Sequence, residues 1–234
     1  MESFIYNYLI ETELRHKKVP VANGMIVTMS REFGTNVRPA AQLLVDELNA
    51  KQVGFKMLKK SWKLVDSTIL NNLSKELKVS AKELNNFIPV QNKSIIDQIM
   101  YSLDIGNNTL DEQLLNALKT VILSYLERGN VVFLGRGASF FTDGLQNALR
   151  VKVTASEKFR VTQFARKNDL RESYAREIVR RKNKRRKNFL KYVSQSVPIN
   201  YDLTIERDDL SDHEIASSIL SLVSEREIEM MRNV

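Results

Sequence analysis

Residue types suited to phosphate chemistry fall in three places along this chain. Arg180-Arg181-Lys182-Asn183-Lys184-Arg185-Arg186-Lys187 is the densest part of a zone, Lys158 to Tyr192, with 14 lysines and arginines against three acids, a local +11. The whole chain carries +8, so the remainder sums to 8 − 11 = −3. Arg176, Arg180 and Lys184 recur every four residues, as do Lys182 and Arg186, so a helix there carries stripes of positive charge. Two such stripes closing over a triphosphate would stabilise charge migrating between phosphoryl oxygens. A solvated helix face or a nonspecific nucleic-acid patch would have the same composition. Few aromatics interleave the cations around this densest part (Tyr174, Phe189 and Tyr192), which weakens a base-stacking reading.

The second place is Gly135-Arg136-Gly137. Flanking glycines let the backbone turn sharply, and a guanidinium can grip a phosphate through two parallel hydrogen bonds. Its bland counterpart is an ordinary strand-to-helix turn with a surface arginine. The third place is Ser30-Arg31-Glu32-Phe33-Gly34-Thr35-Asn36-Val37, followed by Arg38. A loop between a strand and a helix puts its N–H groups and the helix N-terminus before one anion. This loop has a single glycine, and no Gly-Lys-Ser/Thr follows it.

The elements that must position these residues read as an alternation of strands and helices. Met25–Met29 is an apolar β-type run; a helix starts near Arg38, with Pro39 admissible in its first turn and Ala40, Leu43, Leu44 and Leu48 at helical spacing. Residues 55–116 are mainly helical, with Leu64-Val65-Asp66 as an extended interruption and breaks at Pro89 and Gly106-Asn107-Asn108. Leu114–Leu126 predicts a helix stopped by Arg128-Gly129-Asn130, and Val131–Leu134 a strand buried on both faces. Leu149–Thr154 predicts a further strand, Glu157 to about Tyr192 a long basic helical zone, Tyr201–Ile205 a last strand, and Ser211–Arg226 a last helix with Ser211 as N-cap. This order implies a parallel sheet flanked by helices, where ligands sit outside the strand C-termini. All three phosphate-suited features follow directly on predicted strands.

Residues 1–20 read as an amphipathic helix with Phe4, Ile5, Tyr8, Leu9 and Leu14 near one face, ended by Pro20 and Ala22-Asn23-Gly24. Its apolar face needs cover, from the core or from a second subunit in a homodimer. The 234 residues suffice for one α/β domain with an insertion. No apolar run approaches the ~20 residues of a membrane span, and the N-terminus lacks a signal-peptide pattern. There are no cysteines, and His16 and His213 have no nearby ligand partners, so no protein-held metal is expected. A cytoplasmic protein without a membrane partner is the expectation.

At this point the motifs carry a family resemblance. Met25–Leu44 with its Ser-Arg-Glu-Phe-Gly, VVFLGRGA at 131–138, LRVKV at 149–153, IVRRKNKRRKNF at 178–189 and YDLTIERDDLS at 201–211 resemble successive motifs of the cytidylate kinase-like proteins, which are P-loop nucleoside monophosphate kinases. The resemblance spans roughly residues 25–222. It implies an α/β fold: a P-loop NTPase-type parallel sheet flanked by helices, with a helical acceptor-region insertion (about 55–116) and an arginine-rich lid (about 157–200). It also implies phosphoryl transfer from ATP, with Mg²⁺ held mainly through the nucleotide phosphates, to a cytidylate-like nucleotide or related small acceptor. Carried over, Ser30 to Val37 form the donor-phosphate loop, with Arg38 as the basic residue after it. Gly135, Arg136 and Gly137 hold the acceptor's phosphate, Asp66 belongs to the acceptor region, and Arg181, Arg185 and Arg186 are lid arginines.

The chain departs from the family where Gly34-Thr35-Asn36-Val37 replaces Gly-Ser-Gly-Gly. It departs again where Asn183 replaces a common aspartate, and where Glu206-Arg207 replaces a small polar pair beside the base or phosphates. Val37 is a poor residue for positive φ, and Pro39 biases Arg38 away from helical geometry. An active phosphotransferase, a relative that binds nucleotide or anion without transferring anything, and a basic nucleic-acid-binding protein all stay open at this level. Nucleotides are the expected partners, with nucleic acid the least favoured.

Overall fold

The computed structural model describes residues 24–52, 61–66, 125–126, 128–135, 137–194 and 197–232. The expected N-terminal helix, most of the 55–116 region, most of the 114–126 helix, and Arg136 lie outside these. Five strands order as β2-β3-β1-β4-β5, every adjacent pair parallel: β1 Ile26–Arg31, β2 Lys63–Val65, β3 Val131–Leu134, β4 Ala148–Thr154 and β5 Leu203–Glu206. The described helices are α1 Arg38–Gln52, the single-turn α2 Ala138–Phe141, α3 Glu157–Asn168, α4 Glu172–Val193 and α5 Asp212–Arg232.

Strand β1 is central, and both its faces are covered. Met25, Val27 and Met29 point to one side, into a cluster with Ala40, Leu44 and Leu48 of α1 and Ile215, Ile219 and Val223 of α5. On the other side, Thr28 Oγ1 and Ser139 Oγ of α2 lie 2.9 Å apart in a buried hydrogen bond, and Phe133 of β3 meets the edge of Tyr125. Because all strands run the same way, the residues after β1, β2, β3 and β4 collect at one sheet edge. The α/β fold and parallel sheet expected from the sequence are borne out.

The basic helical zone consists of two helices, α3 and α4. Asp169 takes a left-handed conformation (φ 51°) as the C-cap of α3 and turns the chain back into α4. The last strand starts at Leu203, and just before it Asp202 is tied to β4: its carboxylate accepts from the backbone N–H of Arg150 at 2.7 Å and its own N–H donates to the Arg150 carbonyl at 2.8 Å. Ser211 does cap α5. Its Oγ accepts from the N–H of Glu214 at 3.2 Å, and the Glu214 carboxylate accepts in return from the Ser211 N–H at 2.8 Å. That helix runs on to Arg232. No described helix is long and apolar enough to cross a membrane.

Candidate functional site

The loop between β1 and α1 is shaped by residues from three other elements. Thr35, buried, donates its N–H (3.4 Å) and hydroxyl (3.0 Å) to the carbonyl of Glu32, closing a tight turn. The Phe33 N–H donates to Asn183 Oδ1 of α4 at 3.2 Å, and Asn183 Nδ2 donates to the Glu32 carboxylate at 3.4 Å. Glu32 also accepts from the Ala155 N–H after β4 and lies 3.6 Å from the buried Arg160 guanidinium of α3. Arg160 spans the gap, donating to the Ala155 carbonyl at 3.0 Å and the Phe33 carbonyl at 3.5 Å. From the end of β5, Arg207 donates to the Asn36 carbonyl at 2.8 Å and to Asp212 at 2.8 Å.

The positive-φ positions of this loop are Gly34 (93°) and Asn36 (49°), the two residue types that tolerate it best. Val37 needs no such conformation. It is 1% exposed, packs in the main core, and its carbonyl accepts from the Ala41 N–H to begin the helix. The expected conflict at Val37 is thus resolved by moving the left-handed residue one place back. Gly34 is required for another reason: a Cβ there would fall 2.9 Å from the Arg160 backbone carbonyl oxygen. Arg38 opens α1 despite Pro39.

Two predicted site residues meet across the sheet edge. Arg38 Nε donates to Asp66 Oδ2 at 2.7 Å; the Asp66 side chain is 6% exposed and the Arg38 side chain 63%. Asp66, at the end of β2, holds the arginine that follows the loop. Gly135 donates its N–H to the Met29 carbonyl at 2.9 Å, and its missing side chain makes room for the Arg31 guanidinium. Gly137 (φ 72°) then caps α2.

The two cationic stripes of α4 part company. Lys182 and Arg186 lie over the Phe33 ring at 5.5 and 5.9 Å, and Arg186 donates to the Arg31 carbonyl at 3.1 Å, so this stripe faces the loop. Phe33 also packs on Phe164 of α3 at 5.2 Å and on the small Val161, Ala165, Ala175 and Val179 cluster that holds α3 to α4. Arg176 and Arg180 instead pair with Glu157 of α3 at 3.5 and 2.8 Å, and Lys184 is exposed. The hydrogen bond from Arg180 holds the Glu157 carboxyl below its ordinary value. One stripe thus faces the loop, and the other ties α4 to α3 through Glu157. Arg185 is half-buried, while Arg181 is exposed.

Arg160 was hidden in the sequence among fourteen cations. Only its place in the first turn of a helix after a core strand could have marked it. Arg207 stood out as a departure, but nothing in its surroundings named the Asn36 carbonyl as its target. Among the described residues, no three His, Asp or Glu side chains converge in a way that would hold a metal ion.

The cytidylate kinase-like family matches residues 26–209. No curated protein matches the chain. Among solved structures, an uncharacterized protein from Eubacterium ventriosum ATCC 27560 is 17% identical with a TM-score of 0.56, over 86% of this chain and 98% of that one. A shikimate kinase from Bacteroides thetaiotaomicron is 12% identical (TM-score 0.47; 86% and 96% covered). A dephospho-CoA kinase from Campylobacter jejuni is 9% identical (TM-score 0.39; 88% and 98% covered).

Proposed function

We propose a function from one premise: the chain belongs to the cytidylate kinase-like family. On that premise it is a kinase-type phosphotransferase that moves a phosphoryl group from ATP to a nucleoside monophosphate or a related small acceptor. The observation that carries the reading is the docking of Lys182 and Arg186 of α4 onto Phe33 of the β1–α1 loop. It sets permanent positive charge beside a strand–loop–helix turn, where a transferring phosphoryl group would need it.

In this reading the loop N–H groups and the first turn of α1 hold the donor phosphates. Arg38, oriented by Asp66, and the loop-facing lid cations neutralise the charge that develops in transfer. Gly135, Arg136 and Gly137, after the strand next to β1, receive the acceptor's phosphate. Arg181 and Arg185 join when the nucleotides are bound. Mg²⁺ would come with ATP and be held through its phosphates, where it supplies charge neutralisation. Catalysis is by position and electrostatics, without a covalent intermediate.

One observation favours a weaker, binding-only relative: the Phe33 N–H is already given to Asn183, and Pro39 has no N–H to offer. The test is incubation of the full chain with Mg-ATP and each nucleoside monophosphate, reading diphosphate formation. Turnover well above the protein-free background is expected with one acceptor. Arg136→Ala should weaken that acceptor's binding about ten-fold or more, with the fold intact. ATP binding without any diphosphate product would establish the binding-only reading instead.

A further inference from the structure

We infer that Arg207 and Arg160 are positioning residues that aim the loop's N–H donors by capturing its carbonyls, the task that extra glycines would otherwise perform by conformational freedom. The inference rests on the phosphotransferase reading for the identity of the anion. A trans peptide is planar, and its C=O and the following N–H point in opposite directions; the described chain has no cis peptide. Drawing the Asn36 carbonyl onto Arg207 Nη1 at 2.8 Å therefore turns the Val37 N–H away from Arg207. Drawing the Phe33 carbonyl toward Arg160 Nη1 at 3.5 Å turns the Gly34 N–H away from Arg160 in the same manner.

Both carbonyls are also the groups that would repel an anion, and both are neutralised by a guanidinium. The loop has few other donors, since Phe33 gives its N–H to Asn183 and Thr35 gives its own to Glu32. The orientation of the Gly34 and Val37 peptides thus decides what the loop can bind. Arg207 is held in place for this contact. Its side chain is 8% exposed, Asp212 takes Nη2, the Phe159 ring lies under the guanidinium at 5.7 Å, and Nε is buried with no hydrogen-bond partner. The guanidinium sits where Asn36 and Asp212 dictate, at the expense of its third nitrogen.

The experiment titrates inorganic tripolyphosphate and ATP into the full chain, Arg207→Met and Arg207→Lys, with calorimetry, circular dichroism and thermal melting. Arg207→Met should bind tripolyphosphate about ten-fold more weakly or worse, because a mis-aimed peptide loses a hydrogen bond to a charged group. Arg207→Lys should recover part of the loss, since an ammonium can hold Asn36 but lacks the fork that also holds Asp212; it decides the matter if the methionine variant does not fold. In steady-state assays the KM for ATP should rise while the acceptor's KM stays unchanged. Wild-type affinity in both variants overturns the inference, as does a lowered melting temperature without loss of affinity, an equal rise of both KM values, or a wild type that binds neither anion. A wild type that binds both anions but transfers nothing removes the kinase reading, and the Arg207 variants then still decide the inference through affinity alone.

Discussion

Val37 shows most clearly how a single residue changes meaning between sequence and structure. Read against a glycine-rich pattern it is a misfit; in the fold it is a core residue, with Gly34 and Asn36 carrying the positive φ. Restoring the family's glycine by Val37→Gly should therefore harm the chain and not repair its loop. Lost burial and added chain freedom should cost about 2–3 kcal/mol, lowering the melting temperature by about 5–10 °C, with no gain in ATP affinity by calorimetry. Asp66 and Arg38 were both picked out by the sequence as candidate site residues, each from its own motif. Their mutual salt bridge was not, because it joins the residue after β2 to the helix after β1, and β3 stands between those two strands in the sheet.

Among the elements, the α3–α4 hairpin meets the β1–α1 loop partly through one ring. Phe33 belongs to the loop but packs with Phe164 and carries Lys182 and Arg186 on its face. Phe33→Ala should loosen the hairpin at a cost of about 1 kcal/mol. Trypsin should cut within 157–193 faster than in the wild type while the sheet resists, and unchanged cleavage would rule the docking role out. The strands were readable because continuous apolar runs bounded by turns have few alternatives. The turn at Asp169 was not, because a single aspartate in a charged helical zone carries no signal until packing selects a left-handed cap.

The start of β5 offers a pH test. Burial pushes the Asp202 carboxyl up, but hydrogen bonds from Arg150 and the charge of Arg226 outweigh this and hold it below its ordinary value. A depressed folded-state pKa contributes stability above the unfolded value, near pH 4, that is lost as pH falls through the folded value. Asp202→Asn should thus lower the melting temperature at pH 7 by about 2 °C and by less at pH 3, flattening the acid limb of the stability curve.

At the scale of the whole molecule, parallel strands bring to one edge what the sequence scatters, and this much followed from the alternation of elements alone. The partners of the β1–α1 loop are far from it along the chain: Arg160 lies 127 residues from Phe33, Asn183 lies 150 from it, and Arg207 lies 171 from Asn36. A glycine-rich loop can find its shape from local turns. This one cannot, because each clamp closes only after the intervening chain has been ordered, at an entropic cost that must be met before the contact forms. During synthesis, β1 and the loop emerge first, and the arginine that sets the Asn36 peptide emerges last among the three. The loop's shape is therefore a late product of folding, completed when β5 docks and Arg207 reaches the Asn36 carbonyl, and nascent chains shorter than about Arg207 would have the loop's sequence without that shape.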